Sequence, residues 1–264
     1  MKKWTMALSL ALAAAATAGS AHAVDLKGRE IRLAVDPTYP PLEYKTPDGK
    51  LTGFGVDIAN ALCTQLNAHC VWVETSFDGM IPGLIARKYD VISSSMTITP
   101  KRMEQIAFTN KISNAPARLV VRHGSPLLPD PALLKGKRVG VEQGTSQEDY
   151  ARAKWQPAGV EIVAYQNQDQ VYADLTSGRL DAAFQASIAA SDGFLKRPEG
   201  KDFAFAGDAI DDPKFFGQGD GLGLRKRDTE LRDAFNGALA EILANGTYAR
   251  INQKYFDFDI YGAK

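Results

Sequence analysis

Short apolar runs alternate with segments of helical spacing along the whole chain. Ile31–Val35 reads as a buried strand, and Pro47-Asp48-Gly49 within Tyr44–Leu51 reads as a hairpin turn. Apolar positions 58, 61, 62 and 66 recur at a helical interval, which predicts a helix over Val56–Leu66. Val71–Val73 follows as a strand, Met80–Ala86 as a helix with Pro82 in its first turn, and Val91-Ile92 as the next strand. The alternation then restarts. Strands are predicted at Arg118–Arg122, Arg138–Val141, Val160–Tyr165 and Ala182–Gln185. Helices are predicted through about Lys154 and over Gln168–Ser177 and Ile188–Lys196. A glycine-rich strand, Phe216–Leu224, leads to two closing helices, Asp228–Ala244 and Thr247–Tyr255, broken at Asn245-Gly246.

Strands alternating with helices predict an α/β fold with mostly parallel pairing, and two successive runs predict two sheets. In open α/β sheets, ligands sit beyond the carboxyl ends of strands. That rule selects two polar strand ends, Ser93–Thr97 and Glu142–Gln147, which meet across a cleft if the two halves face each other. Glycines at 217, 219, 221 and 223 weaken a strand. They fit either a flexible crossing between lobes or a strand with bulges.

The N-terminus changes the picture of compartment. Lys2 and Lys3 precede an apolar run from Met6 to Ala18 and then Ala21-His22-Ala23, the pattern of a secretory leader cleaved before Val24. The run is too short to span a bilayer comfortably, and no later stretch qualifies. The expected product is exported and not inserted in a membrane. The 31 basic and 31 acidic residues leave no net charge, which argues against nucleic acid or an anionic membrane as partner. About 240 residues after the leader suffice for one large domain or two small ones. The two cysteines, Cys63 and Cys70, fall in the exported part. An oxidising compartment favours pairing them, with a contribution of roughly 2–3 kcal/mol. A metal site is the rival reading, but only His69 lies near the cysteines, so no metal or cofactor is expected.

The chemistry concentrates in Ser93-Ser94-Ser95-Met96-Thr97-Ile98-Thr99-Pro100-Lys101-Arg102. Hydroxyls and backbone amides end an apolar strand, Thr99 is placed to cap a short helix, and Pro100 takes its first position. Arg102 then lies on the first turn. A guanidinium matches a carboxylate through two parallel hydrogen bonds, so the segment reads as a seat for a small carboxylate. A surface arginine beside a capped helix is the plainer alternative.

Several segments carry a family resemblance in order and spacing. They are Asp36-Pro37-Thr38-Tyr39-Pro40-Pro41-Leu42-Glu43, Gly53-Phe54-Gly55-Val56-Asp57-Ile58, the serine run with Arg102, Lys135–Val141 with Gln143–Gln147, Asp181–Gln185 and Lys254–Asp259. Together they resemble the periplasmic solute-binding proteins for polar amino acids, family 3, and within it the histidine-binding and lysine/arginine/ornithine-binding members. The resemblance implies a two-lobed fold of two mixed sheets that closes on its ligand about a hinge. It also implies that the protein docks, as a monomer, on an ABC-transporter permease. Lobe 1 is expected to hold residues 24–113 and 220–264, and lobe 2 residues 114–219, with hinges near 114–116 and 217–219. The cysteine pair falls where the resembled members carry a disulfide.

By the same resemblance, Arg102 binds the ligand α-carboxylate, with Thr145 and Ser146 reaching it from a helix N-terminus in the other lobe. Ser94, Ser95 and Thr97 supply hydroxyl and backbone contacts to the carboxylate and α-amino groups. Tyr39 and Phe77 sandwich the side chain, as aromatic faces attract flat cations. Asp36 receives a distal cation, and Gln147 lines that end. Plainer readings are core aromatics for Tyr39 and Phe77, a turn residue for Asp36, and a solvent-facing Gln147.

Three positions depart from the resembled members. Ala186 stands where they place the aspartate for the α-ammonium, Gly55 where they carry an acid, and Glu142 where they have leucine. An unpaired buried ammonium costs about 3–5 kcal/mol, or on the order of a thousandfold in affinity. The expected ligand is therefore a cationic amino acid with Glu142 taking the side-chain charge. An N-substituted relative of the opine type is the alternative, because Ala186 makes room at the α-nitrogen. A water or Ser187 standing in for the lost acid is the plainest account, and Ala186→Asp is then expected to tighten binding of arginine or lysine. An enzyme of the dehydratase type on the same fold, with Glu142 as general acid, is the competing class. It lacks a second catalytic partner, and His123 reads as an exposed loop residue. A sensory role requires a separate membrane partner.

Overall fold

The computed structural model describes residues 26–262. The leader, with Lys2, Lys3, Met6–Ala18 and Ala21-His22-Ala23, lies outside the described residues. In chain order, β1 (Glu30–Val35) is followed by β2 (Thr38–Tyr39), β3 (Glu43–Lys45) and β4 (Leu51–Thr52), an antiparallel meander. Then come α1 (Phe54–Gln65), β5 (His69–Glu74), a 3-10 turn at Phe77–Gly79, α2 (Met80–Ile85), β6 (Val91–Ile92), α3 (Pro100–Met103) and β7 (Ala107–Phe108). The second run holds β8 (Ala117–Arg122), β9 (Arg138–Glu142), α4 (Ser146–Lys154), β10 (Glu161–Tyr165), α5 (Gln168–Thr176), β11 (Ala182–Ala186), α6 (Ser187–Ala190) and β12 (Phe203–Ile210). A last turn α7 (Pro213–Phe216), β13 (Gly223–Leu224), α8 (Thr229–Ala244) and α9 (Thr247–Tyr255) complete the chain.

Two five-stranded mixed sheets result. In the first, β5, β1 and β6 run parallel, and β13 lies antiparallel between β6 and β7. In the second, β10, β9 and β11 are parallel, while β8 runs antiparallel to both β11 and β12. Each sheet has its own core. Leu33, Val91 and Leu224 pack with Phe54, Leu62 and Phe235 around the first. Val139, Val141 and Phe184 pack with the fully buried Trp155 around the second, where Tyr150, Trp155 and Phe184 meet at ring-centroid distances of 4.6–5.7 Å. Sulfurs of Cys63 and Cys70 are at bonding distance, joining the end of α1 to β5 with Cα atoms 6.1 Å apart.

The glycine-rich segment departs from the expected strand. Phe216 ends α7, and only Gly223 and Leu224 belong to a strand. Gly217 and Gly219 have φ of +57° and +117°, which L side chains rarely adopt, and a Cβ at either would collide with the carbonyl of Ile98 or Ser113. The segment is therefore an irregular crossing from the second sheet back to the first. It lies beside the outgoing crossing: Asp220 N donates to Ser113 O at 2.8 Å, and Ile112 N donates to Asp220 O at 2.8 Å. The predicted helix over Ile188–Lys196 also changes form, since α6 widens into a π turn at Ser191–Leu195. Strand β12 escapes the sequence pattern because Ala204, Ala206 and Gly207 dilute its apolar signal.

Candidate ligand site

Polar ends of both sheets converge on one small cavity. All twelve residues singled out from the sequence line it: Asp36, Tyr39, Phe77, Ser94, Ser95, Thr97, Arg102, Glu142, Thr145, Ser146, Gln147 and Ala186. Leu42, Ala115 and Asp220 complete the wall. Asp220 was missed by sequence reasoning, although it is the lone charged residue between Lys214 and Arg225.

The cleft is closed. Arg102 Nη2 donates to Gly144 O at 3.1 Å, and Thr97 Oγ1 lies 3.4 Å from Ser146 Oγ. At the rim, Gln143 Nε2 donates to Asp78 Oδ2 at 3.1 Å and Lys101 pairs with Asp149 at 2.7 Å. Each contact joins an element next to the first sheet with one next to the second.

Arg102 is fixed by the local structure the sequence predicts. Thr99 Oγ1 accepts from Arg102 N at 3.2 Å as the cap of α3, with Pro100 at the first position. Arg102 is only 6% exposed, and its guanidinium donates to Thr97 O at 2.8 Å and has its Cζ 5.4 Å from the Phe77 ring centroid. Burial lowers its pKa to about 10, so it stays charged at neutral pH. It is thus a cavity cation and not a surface arginine.

Opposite it, α4 presents its N-terminus. Thr145 caps the helix by accepting from Glu148 N at 3.2 Å and donates to Glu142 O at 2.7 Å, so its hydroxyl is committed within the protein. The Ser146 hydroxyl donates to Gln147 Oε1 at 3.3 Å, and both residues are buried, which rules out a solvent-facing Gln147. The hydroxyls of the serine run also make contacts within the protein. Ser94 Oγ accepts from Asp36 N at 3.0 Å, and Ser95 Oγ donates to the Glu43 carboxylate at 2.9–3.0 Å. The Ser95 O–H is thus spent on Glu43, while Ser94, as acceptor from Asp36 N, keeps its O–H to donate.

The cavity is rich in acid. Asp36 accepts from Thr38 N and Oγ1 and from Phe77 N at 2.7–3.2 Å, so it is a turn residue and a cavity residue at once. Burial raises its pKa, partly offset by these donors. Glu142, at the end of β9, is buried, and its carboxylate has no hydrogen-bond donor among the described residues. Burial pushes its pKa well above the usual carboxylate range, and repulsion from Asp36 adds to the shift. Asp220 is raised to about 6 by burial, against donors from Thr97 and Ser113 and the charge of Arg102.

Gly55 does not line this cavity. It backs onto the buried Glu43, and a Cβ there would collide with Glu43 Oε1. A carboxylate thus already fills the space that the sequence reading took to have lost one. Glu43, Gly55, Ser95 and Asp220 border a second small cavity that shares Ser94, Ser95 and Asp220 with the first. Ser187, offered as a stand-in for the missing acid, is absent from the cavity wall.

Comparison with known proteins agrees with this geometry. Residues 31–258 match the model of the bacterial extracellular solute-binding proteins, family 3. The histidine-binding periplasmic protein of Salmonella typhimurium is 52% identical over 99% of this chain and 100% of its own length. The lysine/arginine/ornithine-binding periplasmic protein of Escherichia coli is 50% identical over the same shares. Among solved structures, a Salmonella typhimurium periplasmic binding protein described for high arginine specificity superposes with a TM-score of 0.81 at 33% identity, covering 87% of this chain and all of that one. With its two mixed sheets closing on a buried polar cavity, the chain belongs to the bacterial extracellular solute-binding proteins, family 3.

Proposed function

We propose that the protein is the periplasmic binding component of an ABC transporter and holds a free cationic amino acid in the cavity between its sheets. One observation carries this reading: a single buried guanidinium faces three buried carboxylates, Asp36, Glu142 and Asp220, in one closed cavity. The set carries more acid than base; a ligand with one carboxylate and two cationic groups reduces that excess, whereas a neutral amino acid leaves it unchanged and an acidic one enlarges it. Arg102 and the N-terminal amides of α4 take the α-carboxylate from opposite sides. Tyr39 and Phe77 flank the side chain, and Asp36 with Glu142 receives its distal charge. The opine alternative is not favoured, because its motive was an acid missing from the cavity and Asp220 supplies one. The relatives' names point the same way, to histidine and to lysine, arginine and ornithine.

The two lobes are residues 24–113 with 220–264, and 114–219. The crossings near 114–116 and 217–219 serve as hinge, and the ligand stabilises the closed form by bridging both lobes. In the oxidising periplasm Cys63 and Cys70 are paired, and the mature chain begins at Val24 after the leader is removed. The protein acts as a monomer that hands ligand to a membrane permease. We read it as a binding protein and not an enzyme, in line with relatives of about 50% identity that are named as binding proteins.

Titration calorimetry of ligand-stripped protein against arginine, lysine, ornithine, histidine, glutamine and octopine tests the reading. Stoichiometric, sub-micromolar binding of at least one free cationic amino acid is expected. Tight binding of octopine alone, or of glutamine above every cationic member, overturns it.

A further inference from the structure

The three acids of the cavity fall into two groups. Asp36 is the foremost charge acting on Glu142, and it is tied to Phe77 and Thr38. Asp220 belongs to the other end. Its backbone bridges Thr97, its carboxylate accepts from Ser113 Oγ at 3.2 Å, and its favourable charge partner is Arg102. Arg102 in turn donates to Thr97 O at 2.8 Å. An α-ammonium is attached to the same carbon as the α-carboxylate, so its acceptor must adjoin the carboxylate seat. Of the three acids, Asp220 alone shares Thr97 and Arg102 with that seat.

We infer that Asp220 accepts the ligand α-ammonium, doing from the interlobe crossing what an acid at position 186 would do from the end of β11. The inference rests on the amino-acid-binding reading above and adds the residue that selects for a free α-amino group. Ala186 is then the complement of Asp220 and not a vacancy for a substituent. Two acids around one ammonium would repel each other in a buried site. The relocation also changes mechanics. Asp220 is bridged both to Thr97 and, through Ser113, to the outgoing crossing, so the ammonium binds where the two crossings run side by side. Closure is left to the carboxylate and the distal charge, which contact both sheets.

The test compares L-arginine with 5-guanidinopentanoate, the same molecule without its α-amino group, by calorimetry on the full mature protein. Wild type is expected to prefer arginine by a hundredfold or more. Asp220→Asn should cut that preference to within about tenfold, chiefly by weakening arginine, and Asp220→Asn with Ala186→Asp should restore it. Thermal unfolding without ligand confirms that the variants fold. Should Asp220→Asn not fold, Ala186→Asp alone decides. An ammonium already paired with Asp220 gains less than about tenfold from the second acid, whereas an unpaired one gains a hundredfold or more. Full preference retained in Asp220→Asn, or that large gain in Ala186→Asp, overturns the inference and leaves the functional reading standing. Wild type that binds no cationic amino acid at all defeats the functional reading instead.

Discussion

Glu142→Gln should move stability and affinity in opposite directions. The substitution keeps the shape of the side chain and removes its charge. Glu142 is 5% exposed, and the charges of Asp36, Asp169, Asp78 and Glu43 act against ionisation of its carboxylate. Its folded pKa lies well above the ordinary value, so the folded state binds the proton more tightly than the unfolded one. Stability attributable to this group is therefore highest in acid and falls as pH rises through the ordinary glutamate range and on toward the raised folded value. A neutral amide escapes that loss. The expected gain is negligible near pH 4 and on the order of 1–3 kcal/mol at neutral pH, the usual cost of a buried polar group left without a partner. It reaches the upper figure only if the cleft stays closed, since opening hydrates the carboxylate. For a protein of this size that corresponds to roughly 2–4 °C per kcal/mol. With a cationic ligand the sign reverses, because the distal charge loses its partner at a cost of about 2–5 kcal/mol, or roughly thirtyfold to several thousandfold in affinity. Melting curves at pH 4.5 and 7.5 without ligand, and calorimetry at pH 7.5, measure both arms. An unchanged affinity for arginine and lysine together with a lower unliganded melting temperature at pH 7.5 would refute the placement of Glu142 at the distal charge.

Three further perturbations probe the rest of the cleft. Arg102→Ala should reduce affinity more than a hundredfold while the circular dichroism spectrum stays native, and Arg102→Lys should recover only part because an ammonium lacks the planar fork; near-wild-type binding by the alanine variant would remove the carboxylate seat. Gly144→Ala places a Cβ 2.8 Å from the Asp78 Cα at a φ of +78°, so it should weaken ligand binding by obstructing closure, read by calorimetry and by a larger liganded radius of gyration in solution scattering. Lys101→Ala removes an exposed rim pair with Asp149 and should change affinity less than about fivefold, an effect that shrinks further in high salt.

Local rules were enough to read much of this protein from its sequence. Apolar spacing located α1, α8 and the parallel strands of both sheets, because period and burial are set by neighbours a few residues away. The Thr99-Pro100 start of α3 was equally legible, and this cap positions Arg102, while the Thr145 cap of α4 emerged only from the structure. Such cues suffice for any group that a capped helix or strand end delivers to a fixed place. Tertiary structure decided the rest. The crossing at 217–222 follows from positive φ at Gly217 and Gly219 and from hydrogen bonds to Ile98, Met96 and Ser113, partners more than a hundred residues away. Gly55 looked like a lost acid until packing showed Glu43 occupying its space. Asp220 could not be recognised as a cavity acid from the strand pattern, since only the pairing of the two crossings turns it toward Thr97 and Arg102. Sequence fixes what each segment can form and which chemistry it carries. Which acids share one cavity, and which end of the ligand each can reach, is set by long-range pairing that no local period encodes.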